Sequence, residues 1–254
     1  MATTTLSITL PPSLNSFNER IPVIPPNRQQ MIPVLFTPDH QAILYFGWWN
    51  QVISNSPDPA QLIGQMPLIQ NPKLKIFGKE ATSHRSIGFF SNQSEGYKFS
   101  GQLMKSQPLL PELIEIMDRV NSTLATPESG QTPYNGILVN YYANGSEYIS
   151  AHSDAETELS PSGVFALSMG LPRNFEIIAK KPGQVYYYRS LSTNQWHQGT
   201  TEKKNQLIYV LPTPDHSVML MWGSQFQKLF KHAVPVSKIA FGPRISWTWR
   251  SHTK

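Results

Sequence analysis

Residues 148–156 read YISAHSDAE. Side chains alternate across a strand, so an extended backbone here puts Tyr148, Ser150, His152 and Asp154 on one face and Ile149 and Ala151 on the other. An imidazole and a carboxylate side by side have two uses. They hydrogen-bond each other on a surface strand, or they clamp a small object between them, for which a divalent metal is the natural candidate. His-x-Asp alone does not choose between the two.

The surroundings of this stretch are strand-like. From Tyr134 onward GILVNYY, EYISAHSD, VFALSMG, RNFEIIA, QLIYVL, SVMLMWG and RISWTWR follow one another, β-branched or aromatic and separated by Gly, Pro, Asn and Ser. So many short strands in succession predict a barrel or jelly roll. The polar stretch 180–206, KKPGQVYYYRSLSTNQWHQGTTEKKNQ, interrupts the series and predicts a long hairpin or loop beside the site. Upstream, AILYFGWWNQVIS (42–54) has helical spacing of large apolar residues. QLMKSQPLLPELIEIMDRVNSTL (102–124) predicts a helix from Pro111, since proline is tolerated in a first turn. Residues 1–30 carry repeated prolines and predict a flexible leader. There are no internal repeats. The expectation is an α+β chain with one domain over 31–254, helices first and a sheet roll after them.

Composition narrows the chemistry. With 254 residues the chain is long enough to bury a core without covalent staples. It has no cysteine, which excludes disulfides, thiolate zinc sites and a cysteine nucleophile. No apolar run is long enough to span a bilayer. The opening MATTTLSITLPPSL lacks the basic start and continuous apolar stretch of a secretory signal, so an intracellular protein, nuclear or cytoplasmic, is expected. The formal charge of +5 suits a polyanionic partner, though many ordinary proteins share it.

A metal site built from two histidines and a carboxylate needs His-x-Asp from one strand and a distant histidine from another, leaving three iron positions for cosubstrate and oxygen. His152, Asp154 and His232, the last in FKHAVP, meet that need. PRISWTWRS (243–251) places Arg244, Ser246, Thr248 and Arg250 on one strand face, with Ile245, Trp247 and Trp249 on the other. On an edge strand the arginines would be solvated. Pointing into a roll they would be costly unless an anion met them, and a dicarboxylate beside a metal would suit the guanidinium fork.

The order of these elements is Asn-x-Tyr (Asn140, Tyr142), His-x-Asp-x-Glu, ALSMG, RNF, MLMWG, a histidine, then Arg-x5-Arg. Over roughly residues 75–251 this run resembles the AlkB family of iron(II)- and 2-oxoglutarate-dependent nucleic-acid dealkylases. LKIFGKE and GYKFSG resemble segments of the nucleotide-recognition lid of its animal DNA-repair members, which implies a lid over about 70–105 and a double-stranded β-helix, or jelly roll, over about 134–251. The resemblance implies His152, Asp154 and His232 as iron ligands, and Asn140, Tyr142, Arg244 and Arg250 as holders of 2-oxoglutarate, Arg244 at its distal carboxylate. Tyr97 and Phe99 would line a flipped-base pocket, with Glu156 near the base; without the resemblance they read equally as core aromatics of a sheet. The cofactors implied are Fe(II), 2-oxoglutarate and O2, and the products succinate, CO2 and formaldehyde. A cationic N1-methyladenine or N3-methylcytosine would be favoured by an aromatic face and an acid, and its poor pairing lowers the cost of flipping. Lys73, Lys75, Lys79, Arg85 and Lys98 either contact phosphates or form a solvated face.

Two features depart from the family pattern: Ala155 where the repair enzymes carry an acid, and the long insertion 180–206. The expected partner is alkylated DNA or RNA, with no membrane and a monomeric state. Two other functions compete: an oxygenase of the same fold acting on protein or lipid, and a non-catalytic jelly-roll binding module.

Overall fold

The alternating segments assemble into two antiparallel sheets whose inner faces share one core. The computed structural model describes residues 30–76, 79–99, 102–125, 132–154 and 163–252. The expected leader therefore lies, save Gln30, outside the described residues.

The chain enters on β1 (Met31–Phe36) and β2 (Ile43–Trp48), followed by one turn of helix, α1 (Trp49–Val52). Two small hairpins follow, β3 (Lys73–Ile76) with β4 (Lys79–Thr82) and β6 (Gly96–Phe99) with β7 (Gln102–Lys105), and β5 (Ser86–Phe90) lies between them in sequence. Then come α2 (Pro111–Leu124), β8 (Gly136–Tyr142), β9 (Ile149–His152), β10 (Val164–Gly170), β11 (Arg173–Ala179), β12 (Val185–Arg189) and β13 (Trp196–Thr200). The chain closes with β14 (Gln206–Thr213), β15 (Ser217–Trp222), α3 (Phe226–Leu229), β16 (Phe230–Val234) and β17 (Arg244–Arg250). The large sheet has the order β13-β12-β1-β2-β15-β10-β17-β8-β5, and the small one β14-β11-β16-β9.

Alternation along the central strands sorts side chains between two compartments. On β17, Ile245, Trp247 and Trp249 join the outer core, where Trp249 stacks on Trp49 at 5.6 Å and α2 lays down Leu113, Ile116, Met117, Val120 and Leu124. The opposite face of the large sheet meets Phe175, Ile177, Leu211, Phe230 and Val234 of the small one. Two such layers around a shared core make the jelly roll, and the fold class agrees with the one read from the sequence.

The helix expected over 42–54 is a correction. Residues 43–48 are strand β2, and helix begins only at Trp49. Ile43 and Tyr45 face the outer core while Leu44 and Phe46 face the inner one, so both faces are apolar and periodicity cannot separate strand from buried helix. Strands, rather than helices, thus come first. The helix expected from Pro111 is present, with proline at its start and Glu112 in its first turn. The insertion 180–206 does form a hairpin, β12–β13. Its two strands extend the large sheet beyond β1, at the end away from β8 and β5, while Lys180 at its start lies near enough to His232 to act on it electrostatically. Among the described residues no helix is long and apolar enough to cross a membrane.

Candidate metal centre

β9 is the last strand of the small sheet and β16 its neighbour, and their register sets His152 directly across from His232. Asp154 follows two residues later, fully buried between them. His152 Nε2 lies 3.8 Å from Asp154 Oδ1, and His232 Nε2 lies 3.7 Å from Oδ2. One ligand atom from each residue can be chosen so that all three lie within 4.8 Å of one another. These separations are too long for hydrogen bonds and short enough for one ion at about 2.0–2.2 Å from each donor.

Protonation favours the same conclusion. His152 Nδ1–H donates to the Ser150 carbonyl at 2.9 Å, which leaves Nε2 unprotonated and aimed at Asp154. Burial pushes His232 down to about 3, with His152 adding to the shift and Asp154 opposing it. Burial also lowers His152, against the pull of Asp154. For Asp154, burial acts to raise the carboxyl, but Arg250, His232 and His152 outweigh it and hold it below its usual range. Arg250 Nη1 stands 3.2 Å from Oδ1, while the buried Oδ2 has no hydrogen-bond donor among the described residues. Two neutral imidazoles and one ionised carboxylate form a donor set with a single negative charge, which fits a divalent cation.

The inward face of β17 carries two buried arginines. Arg244 is 2% exposed, and its Nη2 donates to Ser168 Oγ at 2.8 Å. Among the described residues its buried Nε and Nη1 have no hydrogen-bond partner. Its guanidinium lies 5.3 Å from the centre of the Tyr142 ring, which Arg173 also approaches at 5.7 Å. A buried cation with free donors is costly, and a carboxylate placed there would satisfy it. Gly170 makes room at this end: its φ is +86°, and a Cβ on it would stand 2.5 Å from the Pro243 carbonyl. Arg250, at the other end of β17, has Tyr97 under its guanidinium at 5.0 Å.

The structure therefore brings His152, Asp154, His232, Arg250 and Tyr97 together, while Arg244 and Tyr142 pair at the other end of β17 and β8. Asn140 is buried on the same face of β8 as Tyr142, and its Oδ1 accepts from Arg85 Nε at 2.7 Å. Arg85, grouped in the sequence with phosphate-contacting lysines, turns inward instead, and its Nη1 also reaches Ser83 Oγ at 3.2 Å. Phe99 ends β6 opposite Gln102. Glu156 lies outside the described residues. Sequence reasoning missed Ser168, Arg173 and Gln227. A serine amid the apolar run VFALSMG was the one local signal for any of them.

The end of the small sheet that carries Asp154 is basic. Ala179 pairs there with Gln206 and Phe230. Lys228 and Lys231 lie on or beside β16, Lys180 and Lys181 beyond β11, and Lys203 and Lys204 before β14. Burial lowers Lys180 from its ordinary value, and the nearby Lys231 adds to that shift. At about 4.8 Å between strands, these pairs lead away from the histidines over roughly 15 Å.

The sequence model of the 2OG-Fe(II) oxygenase superfamily matches residues 60–250. The chain belongs to that superfamily. The cofactors of such an oxygenase are Fe(II), 2-oxoglutarate and O2, and the donor set and the buried Arg244 fit them. Among curated relatives, this oxygenase is 27% identical over 179 residues to the human DNA oxidative demethylase ALKBH2, covering 70% of the chain and 60% of the relative. The mouse ALKBH2 is also 27% identical, over 70% of the chain and 66% of its own length. Mouse alkB homolog 3, an alpha-ketoglutarate-dependent dioxygenase, is 27% identical over 161 residues, 61% of the chain and 48% of the relative. These names agree with the AlkB resemblance read from the motifs. The chain thus spans about three-fifths of the human relative it matches. A solved 2OG-Fe(II) oxygenase from Burkholderia pseudomallei is 13% identical, covers 76% of each chain and has a TM-score of 0.39.

Proposed function

We propose that this oxygenase is an oxidative dealkylase of nucleic-acid bases, removing N-alkyl groups such as those of N1-methyladenine and N3-methylcytosine. The observation that carries this reading is the His-Asp-His cluster held by Arg250 of β17, the strand whose other end carries the buried Arg244, at a sheet end rich in lysines. The curated relatives named as DNA oxidative demethylases support the choice of substrate.

In this reading His152, Asp154 and His232 hold the metal. When bound, Fe(II) with 2-oxoglutarate and O2 supplies the oxidising chemistry that hydroxylates the N-alkyl carbon. Arg244 and Ser168 take the distal carboxylate of 2-oxoglutarate, flanked by Tyr142 and with Asn140 nearby. Arg250 keeps Asp154 ionised and fixes one of its oxygens. Burial by both sheets keeps bulk water from the reacting centre. Tyr97 forms the wall between lid and metal, and Phe99 and Glu156 contact the base. The hydroxymethyl product then loses formaldehyde, and succinate and CO2 leave. The lysine row receives the phosphodiester backbone, because closely spaced cations on a polymer track favour counterion release.

The same reading takes residues 31–254 as one oxygenase domain, with lid and roll at the bounds given above, following a leader at 1–30. It describes a monomer working inside the cell, in nucleus or cytoplasm, on DNA or RNA. The test is formaldehyde release from single- and double-stranded DNA and RNA oligonucleotides carrying each methylated base. Release from at least one is expected. Succinate formation without formaldehyde from any oligonucleotide, together with no oligonucleotide binding, would pass the case to a protein substrate.

A further inference from the structure

Asp154 lies beyond the last paired residue of β9, so the sheet ladder does not fix where its carboxylate points. Arg250 meets one carboxylate oxygen, and two hydrogen bonds hold the backbone of Asp154. Its backbone N–H donates to Gln227 Oε1 at 3.0 Å, and the Ser153 hydroxyl donates to the Phe230 carbonyl at 2.7 Å. Both acceptors sit on α3 or the residue that follows it, and this segment runs directly into His232. The far end of the Gln227 carboxamide is engaged as well, with Nε2 3.8 Å from Met221 Sδ. Its main chain is anchored from a third element: Lys180 Nζ donates to the Gln227 carbonyl at 2.6 Å, and Lys180 N–H to the Leu229 carbonyl at 3.0 Å. The carboxamide orientation follows from chemistry, since the Asp154 N–H must meet an oxygen.

We infer that Gln227 is a positioning residue of the metal centre, locking the Asp154 carboxylate in place relative to His232. The inference rests on the reading of His152, Asp154 and His232 as ligands. Without the Gln227 oxygen, the backbone of Asp154 loses its only described side-chain acceptor, and Arg250 alone then restrains the carboxylate against turning from the two imidazoles. Outer partners of this kind set metal affinity by about 10- to 100-fold.

The test titrates Mn(II) into the metal-free full chain and follows free Mn(II) by electron paramagnetic resonance, alongside thermal unfolding. Gln227→Met keeps an unbranched side chain of similar length without the acceptor, and Gln227→Glu retains an oxygen for the Asp154 N–H. The expected result is a Mn(II) Kd raised about 10- to 100-fold in Gln227→Met and within about threefold of wild type in Gln227→Glu. An unchanged Kd in Gln227→Met overturns the inference. So does equal weakening in both variants, because packing and not the acceptor would then be responsible. Asp154→Ala separates the two levels: if it binds Mn(II) as the wild type does, the ligand reading itself fails; if it does not, only the role of Gln227 is under test. Should Gln227→Met fail to fold, Lys180→Met, which frees the Gln227 carbonyl from outside, gives the same readout. A raised Kd supports the inference and an unchanged one overturns it.

Discussion

β17 and the two hairpins β3–β4 and β6–β7 are built by opposite rules. Every residue of β17 is buried, and the strand lies between β10 and β8 in the middle of nine strands. Each hairpin pairs only with itself, in a two-stranded sheet. Such a ribbon is marginal alone and depends on what it packs against. In β6, Tyr97 packs on Phe89, and in β7, Met104 joins the same small cluster. The candidate cosubstrate arginines thus stand on a fully buried central strand, and the candidate base-contacting residues on a two-stranded ribbon. Reaction chemistry needs sub-ångström placement, whereas choosing among substrates tolerates and exploits adjustable walls.

The largest test of this division is Asp154→Ala. It removes the negative charge between two buried imidazoles, and 2-oxoglutarate turnover should fall to background, with metal content of the purified protein falling in parallel. Wild-type turnover would detach the rigid half from the chemistry.

Acid should act on the same half. His232 has its folded-state value lowered from 6.5 to about 3, so the unfolded chain binds its proton first. Stability from this group is full above pH 6.5 and is lost as pH falls through that window toward 3. At 1.36 kcal/mol per unit the loss is roughly 4–5 kcal/mol at most. Denaturant unfolding of the metal-free protein from pH 7 to 4, compared with His232→Gln, measures it; parallel curves for the two would mean that His232 is not buried as a neutral ring.

Arg244→Ala comes next. Truncating one side of a buried charge-assisted pair costs roughly 2–5 kcal/mol, so the KM for 2-oxoglutarate should rise at least about 30-fold. An unaltered KM would assign the arginine to another anion.

The smallest effect belongs to the hairpin. Base–aromatic stacking is worth about 1–3 kcal/mol, so Phe99→Ala should cut demethylation of a methylated oligonucleotide by one or two orders of magnitude while substrate-free succinate formation continues. Equal loss of both activities would place Phe99 in the core and erase the contrast between the two regions.

The same contrast explains what could be read from the amino-acid order. His152 and Asp154, or Arg244 and Arg250, are related by short spacings on one strand, so local geometry already groups them. β2 is different, because a strand apolar on both faces has no period. β1 was hidden too, since Pro33 interrupts it and is accommodated by a register shift between Pro33 and Leu35. Arg85 with Asn140 and Gln227 with Asp154 are 55 and 73 residues apart. Neither pair has a local signature, so only the closed roll brings them together.

The facing of His152 by His232 across β9 and β16 has a consequence for how this gene can change. Side chains on β16 alternate, with His232 inward and Lys231 pointing the other way. Deleting or inserting one codon between α3 and His232 would shift the strand by one and turn its faces over, carrying a lysine toward the carboxylate and the histidine out into solvent. Two-codon changes would restore the facing at a displaced position. Small length changes here should therefore be tolerated, if at all, in even numbers, while the β12–β13 hairpin across the sheet can gain or lose residues without touching the histidines.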